Sequence, residues 1–155
     1  PVYLRFGRPK MPVFVPEDLP FEIGEAWKIA EGSDVTIACT GHLVWKSVEA
    51  AKELSKKGIS VDLINIHTIK PLDEQAILES VEKTGCLVSA EEHQQNGGLG
   101  ESIAGLLARK NPKPMEMVAV QDKFGESGKP HELMTKYHID TPDVIQAVEA
   151  VLKMK

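Results

Sequence analysis

The fold of this protein is decided by residues 35–64, which read VTIACTGHLVWKSVEAAKELSKKGISVDLI. The runs at 35–39 and 60–64 are short, mostly apolar and contain β-branched residues, as is typical of strands. Between them, four apolar residues recur at helical spacing: Val44, Val48, Ala51 and Leu54. Gly58 follows, and glycine readily takes the left-handed conformation that ends a helix. The stretch therefore predicts a strand, a helix and a second strand parallel to the first.

The same alternation continues towards the C-terminus. Further strands are predicted at 86–90 and 115–120, and helices run from Asp73 to Gly85 and from about Leu99 to Asn111. Strands that are apolar throughout are buried on both faces, which favours a mostly parallel sheet between two layers of helices. We therefore expect an α/β protein with three α/β/α layers and about five strands, one of them an antiparallel edge strand.

The remaining elements lie at the two ends of this pattern. Residues 26–30 predict the edge strand, paired antiparallel with residues 35–39 through the turn at 31–34. Pro130 predicts the start of a short helix that ends at Lys136. Thr141 is expected to cap the last helix, because a first-turn proline and a first-turn acid follow it.

The first twenty residues differ in character from the rest. Residues 2–6 read as a strand, but residues 7–20 contain four prolines and no periodicity, which is typical of a linker. A strand separated from the domain by a linker most simply belongs to a neighbouring domain. We therefore assign 1–20 to the last strand of a preceding domain plus a linker, and 21–155 to the domain itself. Because the chain begins with Pro1, we expect it to be a piece of a longer protein.

The composition restricts the classes of partner. The formal net charge is -5 and no basic stripe is present, which argues against a nucleic-acid-binding protein. We expect no membrane partner either, since no apolar stretch approaches the roughly 20 residues of a spanning helix. Cys39 and Cys86 lie in apolar runs without metal-binding spacing, so buried free thiols and a cytoplasmic location are expected.

Polar and glycine residues follow two of the predicted strands, where open α/β sheets usually bind their ligands. The candidate ligand or interface surface comprises six residues: His42, Glu92, His93, Gly97, Gly98 and Gly100. Two interpretations remain open. The glycines either make a tight strand-to-helix turn or line a ligand or partner surface. The acidic and histidine residues at 91–93 either perform acid–base chemistry or have a capping or turn-stabilising role. We predict no metal site and no catalytic residue.

Two further features have open roles. Residues 124–130 form a glycine-containing loop, which either only connects two elements or presents Phe124 at an interface. Arg5 and Arg8 are guanidinium groups of the kind that bind phosphate or carboxylate with two hydrogen bonds.

Five short motifs occur in the order and spacing of one known family: RFGRP at 5–9, TIKPLD at 68–73, EEH at 91–93, GGLGE at 97–101 and SGKP at 127–130, which EL at 132–133 follows. The chain therefore resembles the C-terminal end of a transketolase over nearly its whole length. The FGESG stretch at 124–128 is also similar to 1-deoxyxylulose-5-phosphate synthases. The glycine loop is similar to β subunits of 2-oxoacid dehydrogenases.

This resemblance implies a three-domain enzyme that moves a two-carbon ketol unit between phosphorylated sugars, using thiamine diphosphate and a divalent metal such as Mg²⁺. In that family the cofactor lies between the first two domains of opposing subunits, and the third domain serves mainly assembly. The resemblance thus implies a homodimer whose cofactor-binding domains lie on the same chain or on a separate subunit. It implies that this chain alone binds no cofactor and is inactive. Arg8 matches the family's residue that binds the sugar phosphate, whereas Arg5 has no such match.

Two rival functions are compatible with the same residues. One is a binding module that holds a regulatory anion or nucleotide at the carboxyl edge of the sheet. The other is a pure dimerisation module.

Overall fold

The computed structural model describes residues 1–4, 7 and 10–155. The strand predicted at 2–6 lies partly outside these residues, and positions 2–4 are exposed and belong to no strand. Arg5 and Arg8 lie outside the described residues, so the predicted role of Arg8 stays a prediction.

Every strand and helix predicted between residues 21 and 155 is present. The strands are β1 (Trp27–Ala30), β2 (Val35–Cys39), β3 (Val61–Asn65), β4 (Leu87–Gln94) and β5 (Met115–Val120). The helices are α1 (Leu43–Lys56), α2 (Glu74–Thr84), α3 (Leu99–Lys110), α4 (Pro130–Lys136) and α5 (Thr141–Leu152). The largest difference in length concerns β4, which continues four residues beyond the predicted end at residue 90.

The five strands form one sheet in the order β1-β3-β2-β4-β5. The pairs β2–β3, β2–β4 and β4–β5 are parallel, and β1 is an antiparallel edge strand. The predicted architecture is therefore confirmed.

Two apolar cores cover the two faces of the sheet. Ile37 and Ala38 are neighbours in β2, and their side chains point to opposite faces, as expected from the alternation of side chains along a strand. The core around Ile37 is shared with α1 and α5, and the core around Ala38 is shared with α2 and α3. Burial of β2 on both faces explains why its sequence is almost continuously apolar.

The connection from β1 to β2 is not the predicted hairpin. β1 pairs with β3 and not with β2, so the turn at 31–34 carries the chain across the start of β3. Gly32 makes this crossing possible. A β carbon there would lie 2.5 Å from the Val61 carbonyl oxygen and 2.6 Å from the Asp62 nitrogen. The hairpin prediction was wrong because a short glycine-containing turn can lead either into a hairpin with β2 or across β3. Which of the two forms depends on the pairing of β1 with β3, a strand about 30 residues further along the chain.

The helix ends follow the sequence signals, with one shift. The Asp73 side chain accepts a hydrogen bond from the Ala76 amide at the start of α2, and Gly85 ends that helix in the left-handed conformation. The cap of α5 is Asp140 rather than the predicted Thr141. Asp140 and Asp143 form a reciprocal capping box, which satisfies two amide groups at once and outcompetes the hydroxyl of Thr141.

A polar cluster lies under the start of β3. The buried Asp62 carboxylate accepts hydrogen bonds from Ser80 Oγ (2.5 Å), Lys83 Nζ (2.7 Å) and the Gly32 amide (3.1 Å). Burial alone would raise the pKa of this carboxyl. The bonds from Lys83, Ser80 and Gly32 outweigh that effect, so the pKa of Asp62 lies below its ordinary value of 3.8.

Replacement of Asp62 by asparagine is expected to lower the free energy of unfolding by about 1–2 kcal/mol at neutral pH. Asparagine carries no negative charge, so the ion pair with Lys83 is lost. The loss is moderate because Lys83 is partly exposed and solvent screens the ion pair. Because the folded state lowers the pKa of Asp62, its contribution is full above the ordinary pKa and is lost as the pH falls through the folded-state pKa. Unfolding free energies of the two proteins, measured by urea titration at a series of acidic pH values, should therefore converge as the pH falls. The control is Glu31→Gln, which replaces an exposed acid. A difference in unfolding free energy between wild type and Asp62→Asn that stays the same at low pH would contradict the prediction.

Both cysteines are free and buried, as predicted. Burial raises the pKa of the Cys39 thiol to about 12, and burial also raises the pKa of Cys86. Among the described residues, no helix has both the length and the apolar character needed to cross a membrane.

Candidate functional site

The candidate site lies at the carboxyl edge of the sheet, between the ends of β2 and β4. The chain leaves β2 towards β3 on one side, whereas β4 lies on the other side of β2. Open α/β sheets place their ligand-binding crevice at such a switch in strand order. His42 follows β2 and Glu92 lies in β4, so both predicted residues stand at this switch.

His42 and Glu92 form a close pair across the crevice. His42 Nδ1 lies 2.5 Å from Glu92 Oε2, and the two side chains are 29% and 48% exposed. His42 stands at the N-terminus of α1 but makes no hydrogen bond to the helix through its side chain. The pair therefore links β4 to the start of α1, and it faces solvent.

Glu91, the residue before this pair, has a different environment. Its side chain is only 1% exposed, and its two carboxylate oxygens accept hydrogen bonds from the amides of Leu99 and Gly100, both at 2.8 Å. These amides open α3, so the carboxylate caps the helix and lies at the positive end of its dipole. Because successive strand residues point to opposite faces, Glu91 reaches α3 while Glu92 reaches α1.

The glycines of the 97–100 loop allow this close approach. A β carbon on Gly98 would lie 2.6 Å from Glu91 Oε1, and one on Gly100 would lie 2.8 Å from Ser89 Oγ. Gly97 has a φ of 76°, and its amide donates to the Glu101 carboxylate. This geometry supports the tight-turn interpretation of the loop.

His93 and the loop after β5 complete the edge. His93 Nδ1 lies 2.8 Å from the Gln94 carbonyl oxygen, and Gln94 Nε2 donates to the Lys123 carbonyl. Phe124, the next residue, is 98% exposed. Tyr137 at the end of α4 donates its hydroxyl proton to the Phe124 carbonyl, so the loop is held while the phenyl ring projects into solvent.

The edge does not fit the diphosphate of a thiamine cofactor. An anion at the start of α3 would need free amide groups, but those of Leu99 and Gly100 already bind Glu91, and the amide of Gly97 binds Glu101. Further negative charge would also meet these carboxylates. In the part of the chain that the structure describes, no group of three or more His, Cys, Asp or Glu side chains could hold a metal ion.

Sequence reasoning placed the candidate residues at this edge but missed their division of roles. His42 and Glu92 were predicted in the same surface, yet their direct contact could not be deduced. Glu91 was not selected as a site residue, although it makes the buried interactions of the EEH motif. The alternation of side chains along a strand could have identified Glu91, because Glu91 lies two residues after Ser89 and therefore on the same buried face of β4.

The chain is similar to known proteins along its whole length. The sequence profile of the family described as "Transketolase, C-terminal domain" matches residues 24–144. The 6-deoxy-6-sulfo-D-fructose transketolase subunit SqwH of Clostridium sp. (strain MSTE9) is 39% identical over 155 residues, which are 100% of this chain and 48% of that protein. The 1-deoxy-D-xylulose-5-phosphate synthase 1 of Geobacter sulfurreducens is 36% identical over 140 residues, which are 89% of this chain and 22% of that protein.

A solved structure is similar over almost the same span. It is described as a split gene transketolase, inactive beta4 tetramer, and it matches with a TM-score of 0.90 and 40% sequence identity. The match covers 93% of this chain and 47% of that chain. This chain therefore spans about half the length of two of these three proteins and about a fifth of the third.

Proposed function

Because the chain belongs to the family of transketolase C-terminal domains, we propose that it is the C-terminal part of a transketolase. The complete enzyme transfers a two-carbon ketol unit between phosphorylated sugars, with thiamine diphosphate and a divalent metal such as Mg²⁺. Other domains bind both cofactors, either on the same polypeptide or on a separate subunit. The observation that carries this proposal is the similarity, along almost the whole chain, to a split transketolase chain.

In this proposal the chain divides near residue 20. Residues 1–20 are the last strand of the preceding, pyrimidine-binding domain plus the linker, and residues 21–155 are the C-terminal domain. The family match supports this division because it begins at residue 24. Arg8, in the segment that belongs to the preceding domain, binds the phosphate of the sugar substrate.

The domain itself serves assembly and is inactive alone. Its carboxyl edge supports this role, because the amides that open α3 bind the chain's own carboxylates. The outer surface of that edge is the contact surface for the cofactor-binding domains in a homodimeric enzyme. It contains His42, Glu92, His93 and the glycines of the 97–100 loop, with the exposed ring of Phe124 beside them.

We place the protein in the cytoplasm and expect neither nucleic acid nor a membrane among its partners. Cys39 and Cys86 support this location, because both are buried free thiols and a reducing compartment keeps thiols free. The net charge of -5 works against binding to a phosphate backbone.

Reconstitution tests the proposal directly. The purified chain, supplied with thiamine diphosphate and Mg²⁺, is expected to show no ketol transfer from xylulose 5-phosphate. Addition of the cofactor-binding domains or subunit should restore transfer. In the restored enzyme, Arg8→Ala should raise the KM for the phosphorylated sugar, while Lys10→Ala should leave it unchanged. Turnover by the chain alone would contradict the proposal, and so would the absence of turnover after the cofactor-binding domains or subunit are added.

A second candidate is a 1-deoxyxylulose-5-phosphate synthase, favoured by the FGESG stretch at 124–128 and by the relative from Geobacter. A 2-oxoacid dehydrogenase β subunit has only the glycine loop in its favour. The same reconstituted enzyme distinguishes these candidates, because both release carbon dioxide from a 2-oxoacid whereas ketol transfer between sugars releases none. A regulatory anion-binding module is disfavoured by the paired amides at α3, and nothing specific favours a pure dimerisation module.

A further inference from the structure

The proline-rich segment before the domain contacts it through Phe14. The Phe14 ring is half-buried and packs against the core that α1 and α5 share. The neighbouring residues behave differently, because the side chains of Val13 and Val15 are 96% and 46% exposed. One side chain of the Pro-Val-Phe-Val-Pro stretch at 12–16 is thus turned towards the domain.

The partners of Phe14 are the two tryptophans of the chain. The ring centroid of Phe14 lies 6.3 Å from that of Trp27 and 5.4 Å from that of Trp45, with interplanar angles of 20° and 41°. Both separations are in the range of attractive aromatic pairs. Trp27 belongs to the edge strand β1 and Trp45 to α1, so Phe14 fills a cleft between two layers of the fold. Lys52 Nζ, 5.5 Å from the centroid of Trp45, stands over the same indole.

We propose that Phe14 is a positioning residue that fixes the preceding domain against this one by docking in the cleft between Trp27 and Trp45. This inference rests on the proposed function, in which residues ahead of Phe14 belong to the preceding domain and include Arg8. The segment is then a short fixed connection and not a flexible tether.

The effect of docking on reach is large. An extended chain spans at most about 3.5 Å per residue. Phe14 follows position 8 by six residues, which limits their distance to about 20 Å. Without the docked ring, the next aromatic contact with the domain is that of Phe21 with His67, 13 residues from position 8, and the limit rises to about 45 Å. Docking therefore confines the preceding strand to a small part of the space that a free linker would allow.

The docking can be tested on the 155-residue chain without any activity assay. Trp27 and Trp45 are its only tryptophans, so their fluorescence reports directly on the cleft. Phe14→Ala is expected to shift the emission maximum to longer wavelength, because both indoles become more exposed to water. It should also speed cleavage after Glu17 by a glutamate-specific protease. Phe124→Ala removes the same ring from an exposed position and should change neither signal.

Emission and cleavage rates of Phe14→Ala equal to those of Phe124→Ala would overturn the docking. If Phe14→Ala lost its far-ultraviolet helix signal, Phe14→Leu would take its place, since leucine keeps apolar contact without an aromatic ring. For Phe14→Leu we expect an intermediate emission shift and intermediate cleavage. Wild-type values for a folded Phe14→Leu chain would overturn the aromatic docking between the two indoles.

The positioning role is tested in the reconstituted enzyme. Phe14→Ala is expected to raise the KM for the phosphorylated sugar about tenfold. The same change should leave the kinetics of an unphosphorylated sugar unaltered, and Phe14→Tyr should restore the KM. An unchanged KM in an active enzyme would overturn the positioning role. Absence of activity in the wild-type assembly would instead reject the proposed function, and the fluorescence result would be unaffected.

Discussion

Replacement of Gly32 by alanine is expected to destabilise the protein by about 3 kcal/mol, measured by urea unfolding at neutral pH. The new methyl group would overlap the backbone of Val61 and Asp62, where the chain crosses the start of β3. Backbone atoms within a sheet cannot move aside as the end of a side chain can. The crossing loop would have to lift, and the bond from the Gly32 amide to Asp62 would be lost.

Gly125→Ala is the matched control for this change. A β carbon at Gly125 would meet no atom within 4 Å, and its backbone is not in the left-handed region. We expect a change within about 0.5 kcal/mol, to which the restriction that alanine places on the unfolded chain contributes a small gain in stability. A Gly32→Ala protein as stable as Gly125→Ala would show that β1 reaches its place by another path.

Replacement of Glu91 by alanine is also expected to cost about 3 kcal/mol of unfolding free energy. The substitution leaves the amides of Leu99 and Gly100 without their acceptor in a buried position, and it removes a negative charge from the N-terminus of α3. Glu91→Gln should cost less, because the amide oxygen can still accept one of the two bonds.

Glu92→Ala is the control at the next position of β4. Its carboxylate is half exposed and bonds only to His42 among the described residues, so we expect a loss below about 1 kcal/mol. Thermal and urea unfolding would rank the stabilities of Glu91→Ala, Glu91→Gln and Glu92→Ala. Equal losses for Glu91→Ala and Glu92→Ala would contradict the assignment of Glu91 as the buried cap of α3.

The secondary structure was predictable because its signals are local. The apolar spacing in 35–64, the cap at Asp73 and the left-handed Gly85 each act within a few residues. The cap of α5 was missed by one position because Asp140 and Thr141 are both good caps. The decision depends on Asp143, which reaches back only to Asp140.

The partner of β1 and the roles at the carboxyl edge were not predictable in the same way. β1 could pair with either neighbour by its own pattern, and the outcome depends on Gly32 passing over β3. Glu91 and Glu92 are identical residues. They differ only because β4 continues past residue 90, which turns one side chain towards α3 and the other towards α1.

The burial of both cysteines has a practical consequence for labelling. A thiol reacts as its thiolate, and Cys39, with a pKa of about 12 and no exposed surface, holds almost none at neutral pH. Cys86 is equally covered. A single cysteine introduced on an exposed loop would therefore take a maleimide dye selectively, with both native cysteines retained. Distances to a labelled partner domain could then be followed by energy transfer in a protein with an otherwise unaltered interior.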